Sequence, residues 1–401
     1  MPVTEAELVP EPPPDRPRRR RRTVATLATM VLLLFGVPCG LLVFAGQDWP
    51  GWVLGLGGAV FFFGALAYTR LMMLGHGRRH RDWAARIGDT MLGVIWVLFT
   101  CSLLSQFVRL ALFLAGVDDP LRSRVTAGAA VLAAAVLLGW GHYEAMRVSR
   151  VRAVEVTLDR LGAGLDGLRM VLLTDTHYGP INRVRWSAGV VDVVNALDAD
   201  LVCHTGDIAD GTVAERLEQA APLGQVKARY GRAYVTGNHE YFSEGQAWLD
   251  HMRDLGWDAL HNRHIVLTRD GASLVVAGVD DRTAAASGEA GHHTDHAAAL
   301  AGADPTLPVL LLAHQPRQID GAVAHGIDLQ ISGHTHGGQI WPFHYLVLTD
   351  QPVLHGLTRH GERTQLYTSR GTGFWGPPFR VFAPSEITLI TLRSARSEPA
   401  V

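Results

Sequence analysis

Four long apolar runs, at residues 24–46, 51–74, 89–116 and 125–145, constrain this chain more than any other feature. A helix needs roughly 20 apolar residues to cross a bilayer, and soluble helices seldom run that far without a polar face. The runs therefore predict four membrane-crossing helices. They explain why the chain is 48% hydrophobic and only 18% charged, where a soluble domain carries about 25% charged residues. This balance excludes a disordered chain, a disulfide scaffold and a simple soluble globule. Gly36–Gly40 and Gly51–Gly55 have the GxxxG spacing that suits close helix packing. Arg109, inside the third run, is expected to be structural. Cys203 lies in a short strand-like run and is expected to be a small buried hydrophobe.

Arginine placement sets the topology. Arg16 and Arg18–Arg22 precede the first run, Arg78, Arg79, Arg81 and Arg86 follow the second, and Arg147, Arg150 and Arg152 follow the fourth. The opposite side offers Arg122 and Arg124 beside Asp118 and Asp119. The positive-inside rule then places both termini in the cytoplasm, in a multi-pass protein of the cell membrane. Residues 1–22, rich in Pro and Arg, are expected to form a disordered basic tail near anionic headgroups. The net charge of −2 carries no electrostatic footprint for nucleic acid.

From about residue 153 short apolar runs alternate with segments of helical period at 183–197, 212–229 and 244–256. This alternation predicts an α/β domain. Five strand-like runs each end on polar residues. Met170–Leu173 leads into Asp175 and His177, Asp200–His204 into Asp207, Arg232–Thr236 into Asn238 and His239, Val309–Ala313 into His314, and Asp328–Ser332 into His334 and His336. The carboxyl edge of an open α/β sheet is where ligands bind. Glycines precede Asp207, Asn238 and His334, as tight strand exits require. Imidazole with carboxylate and amide oxygen suits Zn, Mn or Fe. Seven ligands (Asp175, His177, Asp207, Asn238, His314, His334, His336) exceed what one ion needs, whereas two ions sharing a bridging carboxylate would use them all. His292, His293 and His296 lie in an Ala/Gly-rich insertion, expected to be a solvated loop.

The series Asp175-x-His177, Gly206-Asp207-x-x-Asp210, Gly237-Asn238-His239-Glu240, His314 and Gly333-His334-x-His336 resembles the calcineurin-like metallophosphoesterases. Ala313-His314-Gln315-Pro316, Ser369-Arg370-Gly371-Thr372-Gly373 and Pro384-Ser385-Glu386-Ile387 are similar to the bacterial membrane-associated branch. The resemblance covers about residues 153–393 and implies a four-layer α/β/β/α sandwich with a dinuclear centre; it does not extend to the four-helix transmembrane region that the apolar runs predict at 23–146. It implies that Asp175, His177 and His336 hold one divalent ion, that Asn238, His314 and His334 hold a second, and that Asp207 bridges them. His239 would meet the substrate, and Asp210 would orient His239. Gly211 follows Asp210 where the protein-phosphatase branch has arginine, a departure from that branch. The implied activity is hydrolysis of phosphate mono- or diesters by a hydroxide bridging the two metals.

Phe374, Trp375, Pro377, Pro378 and Phe379 form an apolar, turn-rich segment. It either dips into lipid headgroups or packs under the C-terminal strand Ile387–Leu392. With the apolar helices it points to a lipid-linked phosphoester as substrate and to membrane lipids as partners. The alternative is a membrane signalling module that binds a phosphorylated ligand without turnover.

Overall fold

The computed structural model describes residues 16–77 and 80–395, with 16–23 as backbone only. The apolar runs form α1 (Arg16–Cys39), α2 (Gly51–Gly75), α3 (Asp82–Leu114) and α4 (Leu121–Met146), each with a stretch long and apolar enough to cross a membrane. Of the expected basic tail, residues 16–22 lie in α1, and residues 1–15 fall outside the described residues, as do Arg78 and Arg79. α3 begins seven residues before its apolar run. Asp82 opens it, and a carboxylate there complements the positive end of the helix dipole.

Two compact units divide the chain: Met1–Arg70 with Leu98–Ala133, and Leu71–Val97 with Ala134–Val401. In the first, large apolar side chains point outward, with Leu32 71% and Leu114 76% exposed, as suits a lipid solvent. Close helix packing falls at Gly57, where a Cβ would meet Val43 at 2.7 Å, and at Gly64 under Phe35. It does not fall at Gly36, Gly40, Gly51 or Gly55, none of which has another helix within van der Waals reach. Arg109 is structural here, its guanidinium 3.8 Å from Asp119.

The second unit contains an α/β domain. Its strands are β1 (Arg150–Leu158), β2 (Leu168–Leu173), β3 (Leu201–His204), β4 (Arg232–Tyr234), β5 (Asp258–Ala259), β6 (Arg263–Arg269), β7 (Ala272–Gly278), β8 (Val309–Leu312), β9 (Leu329–Ser332), β10 (Gly356–His360), β11 (Thr364–Thr368) and β12 (Glu386–Ser394). They form two six-stranded mixed sheets, β1-β12-β2-β3-β4-β5 and β10-β11-β9-β8-β7-β6. Helices α5 (Val184–Ala196), α6 (Val213–Ala220), α7 (Asn238–Ser243) and α8 (Gly245–Asp254) follow β2, β3 and β4.

Side-chain alternation defines the layers. In β2, Met170 and Leu172 enter the core between the sheets, while Val171 and Leu173 pack with Val190 and Val194 of α5 and Trp248 of α8. In β8, Leu310 and Leu312 face the same inter-sheet core, and Val309 and Leu311 pack under Ile319 and Ala322. The order is helix, sheet, sheet, helix. Strands buried on both faces are continuous apolar runs, which makes them legible. Cys203 is buried in the inter-sheet core beside Met170.

Register brings the strand exits together. Leu173 pairs with His204, so the chain leaves β2 and β3 side by side. Leu312 pairs with Ile331, and Gly333 donates its N–H to the His314 carbonyl at 3.0 Å.

Candidate metal centre

The seven candidate ligands converge at the carboxyl ends of β2, β3, β4, β8 and β9. Asp175, His177, Asp207, His334 and His336 have positive φ, from 44° to 69°. Such backbone costs about 1–3 kcal/mol per residue and persists only where the surroundings impose it. Here close approach imposes it. A Cβ on Gly237 would lie 2.2 Å from Asp207 Oδ1, and one on Gly333 would lie 2.1 Å from Asp175 Oδ2. Only glycine lets these loops cross.

The donor atoms form two groups. In the first, His336 Nε2 lies 3.0 Å from His177 Nε2 and 3.4 Å from Asp175 Oδ1. In the second, His314 Nε2 lies 3.1 Å from Asp207 Oδ2, 3.1 Å from Asn238 Oδ1 and 3.2 Å from His334 Nδ1. Asp207 Oδ2 is also 3.5 Å from His177 Nε2, which sets it between the groups. Ligands about 2.0–2.2 Å from an ion are separated by such distances. The outer ring nitrogens are also anchored. His314 Nδ1 donates to the Thr205 carbonyl at 2.8 Å, and His177 Nδ1 to Asp210 Oδ1 at 3.0 Å. Each bond engages Nδ1 and turns Nε2 toward the other donors. His336 differs, because the buried Arg380 guanidinium lies 3.0 Å from its Nδ1.

The charges are tightly linked. Burial would depress the His314 ring, but Asp207 outweighs it and pushes it up to about 10. Burial, then His314, pushes His334 down to about 3. Asp207 stays ionised well below the usual carboxylate range, because His314 and His239 outweigh its burial. Burial raises Asp175. The donor set fits divalent cations: buried carboxylate, amide and imidazole groups, with a proton at His314 for a cation to displace.

Asp210 and His239 are brought together as expected. Asp210 Oδ1 lies 2.7 Å from His239 Nδ1 and accepts from His177 as well. Burial opposes a charge on His239, yet Asp207 and Asp210 push the ring up to about 9. An arginine does serve Asp210, six residues on. The Thr212–Glu215 capping box starts α6, and Arg216 Nε donates to the Asp210 carbonyl at 2.7 Å. Its two Nη atoms fork onto Asp82 at 2.6 and 2.7 Å.

Two features escaped the sequence reading. Glu240 is fully buried and accepts the N–H groups of Gly237, Asp207 and Ile208 at 2.6, 2.9 and 2.7 Å, tying two ligand loops together. Asp280 and Asp281 follow β7 with the same apolar-run-then-acid signature as the ligand strands. Asp281 accepts from Gln315 at 3.0 Å, and Asp280 faces His261 Nδ1 at 2.7 Å. His292 is not in a solvated loop: it is buried, hydrogen-bonded to Tyr241 at 3.0 Å and Gln246 at 3.1 Å. His293 is exposed as expected, and His296 stacks on His325.

A cleft of about 450 Å³ opens above the donors, with His177, Asp207, Asn238, His334 and His336 on its floor. Its walls are largely apolar, and they include Trp375. The 374–379 segment is largely buried against its neighbours. Phe374 packs on Arg183, Phe379 on Gly93 and His142, and Trp375 alone is 47% exposed.

Residues 168–338 match the family described as Calcineurin-like phosphoesterase. A Danio rerio protein named "Transmembrane protein with metallophosphoesterase domain" is 38% identical over 272 residues, 66% of this chain and 62% of that protein. Its Bos taurus namesake is 35% identical over 328 residues, 77% of this chain and 74% of that protein. An uncharacterized metallophosphoesterase of Helicobacter pylori is 36% identical over 260 residues, 64% and 68% of the two chains. The chain thus spans somewhat under two thirds of the fish relative and about three quarters of the bovine one. With two donor groups meeting at Asp207 and relatives matched across most of their length, this chain belongs to the calcineurin-like phosphoesterase family, a family of metal-dependent phosphoric ester hydrolases.

Proposed function

We propose that the chain is a membrane-anchored hydrolase of phosphate mono- or diesters, with residues 23–146 as the anchor and 153–393 as the catalytic domain on the cytoplasmic side. The meeting of both donor groups at Asp207, directly beneath His239, carries this reading. Asp175, His177 and His336 would hold one divalent cation, Asn238, His314 and His334 a second, and Asp207 would be shared. Such a pair supplies an acidified water as nucleophile and Lewis-acid binding of the phosphoryl oxygens. Asp175 and Asp207 set two negative charges against four positive ones, which leaves the floor attractive to a phosphate anion. Neutral Asn238 preserves that excess. Asp210 holds His239 by Nδ1, so Nε2 can give a proton to the leaving oxygen. Phe242 and Trp375 pack edge-on against the His239 ring at 5.0 and 5.6 Å, which holds its plane.

The apolar cleft walls and the membrane-length helices support a lipid-linked phosphoester. The arginine distribution supports cytoplasmic termini. The test is hydrolysis of p-nitrophenyl phosphate and bis-p-nitrophenyl phosphate by purified full-length protein with added Mn²⁺, with metal analysis of the same sample. His239→Ala should lose about 10²–10⁴-fold in turnover and keep its metal, whereas Asp207→Ala should lose both. A metal-loaded protein that turns over neither compound would instead be the ligand-binding module.

A further inference from the structure

α3 is longer than a bilayer crossing requires. Its 33 residues span about 50 Å, against a hydrocarbon core of about 30 Å. Within Leu71–Val97, part of the α/β unit, Asp82, Arg86, Asp89, Gly93 and Trp96 recur at intervals of four and three, which aligns them on one helix face. Asp82 holds Arg216, and Arg86 and Asp89 line a small cavity with His177 and Asp210. Gly93 lies flush against the 377–379 segment, where a Cβ would come 2.4 Å from the Phe379 ring. Trp96 meets Phe343 edge-on at 5.9 Å. Leu92, Gly93 and Trp96 then line the main cleft together with Trp375 and Pro377, alongside the metal donors. The cleft volume of about 450 Å³ falls within the range of roughly 300–1,000 Å³ typical of small-molecule sites. Beyond Phe343 the surface stays apolar and open, with Leu346 53% and Leu348 46% exposed.

From this arrangement we infer that α3 is part of the substrate site, with Leu92 and Trp96 as specificity-determining residues for an apolar arm of the phosphoester. The occupant is the hydrocarbon chain of a membrane lipid. It runs from the exposed apolar rim, between α3 and the 343–347 and 375–377 segments, to a phosphate at the metal donors. A helix able to span the bilayer forms one wall, so a lipid chain need not cross water to enter. The inference rests on the phosphoesterase reading and names its substrate class.

The test uses p-nitrophenyl alkyl phosphates and alkyl phosphate monoesters, methyl to octyl, all below their micellar concentrations, with full-length Mn²⁺-loaded protein. Each methylene held in the cleft should raise kcat/KM about threefold to fourfold until the cleft is full. Trp96→Ala and Leu92→Ser should bring the octyl-to-methyl ratio close to unity, chiefly through KM, and Trp96→Phe should keep part of it. Val94→Ala, on another face of α3, should keep the wild-type ratio. Hydrolysis with no dependence on chain length, or a dependence that survives Trp96→Ala and Trp96→Phe alike, overturns the inference and leaves the phosphoesterase reading standing. Failure of metal-loaded wild-type protein to hydrolyse any of the esters overturns both.

Discussion

Asp210 receives two ring N–H groups on one oxygen, and that sharing decides how His239 responds to pH. Its carboxylate, with Asp207, pushes the His239 ring up to about 9, so the ring is cationic at neutral pH and can donate a proton. Cations bound below it lower that value. Turnover should therefore fall as pH rises toward or through about 9, and His239→Asn should abolish that descending limb as well as most of the rate. An unchanged alkaline limb in the variant would assign the titration to another group. Glu240 is the other residue whose effect exceeds its visibility. Sequence alone assigns it no role, because nothing local shows that its oxygens reach the backbone N–H groups of residues 207, 208 and 237. Glu240→Gln replaces an acceptor by an N–H₂ group facing N–H donors. An unsatisfied buried polar group costs about 1–3 kcal/mol. The variant should lose about 2–3 kcal/mol in denaturant unfolding of the metal-loaded protein, a loss that a merely exposed glutamate would not produce.

At the scale of elements, legibility followed burial. β2, β3, β8 and β9 are covered on both faces: β8 and Met170–Leu173 of β2 are unbroken apolar runs that lead to their ligands, whereas β3 ends on buried His204 and β9 alternates its apolar positions with buried Gln330 and Ser332, and the three helices α5, α6 and α8 show their period. β6, half-exposed, and β10, which alternates exposed and half-buried positions, give weaker patterns and were not anticipated. β7 carried a readable run and a readable acid pair, yet neither Asp280 nor Asp281 fitted the ligand pattern already in view. α3 starts seven residues ahead of its apolar run, a polar opening turn that hydropathy cannot detect. That turn matters, since Asp82 binds the guanidinium that holds the Asp210 carbonyl. Asp82→Asn keeps the shape but removes the charge that satisfies buried Arg216. It should lower kcat by up to about tenfold, roughly 1.4 kcal/mol in the barrier, with KM for p-nitrophenyl phosphate little changed. Asp82→Glu should recover part of that loss. A change confined to expression level, with kcat intact, would make the contact purely structural.

For the whole molecule, cations, protons and stability are linked through the same buried groups. Without cations, the site holds Asp175, Asp207, Asp210 and Glu240 in close quarters and several ligands in left-handed backbone. His314, raised to about 10, then supplies the compensating charge. A histidine raised in the fold stabilises it fully below its unfolded value near 6.5, and that contribution is lost as pH rises through about 10. The metal-free protein should therefore lose thermal stability between about pH 6.5 and 9. Metal binding runs the other way, because the cation must displace the His314 proton, so affinity rises with pH. Each site held at about 1,000 times its Kd adds about 4 kcal/mol. The melting temperature should accordingly drop on chelation, and the gap between loaded and stripped protein should widen steadily from pH 6.5 to 9. Asp207→Asn, lacking the charge that raises His314 and bridges both groups, should show a small gap that hardly moves with pH. A wild-type gap that stays constant over that range would mean that His314 carries no displaceable proton, and that the charge balance assigned to the site is wrong.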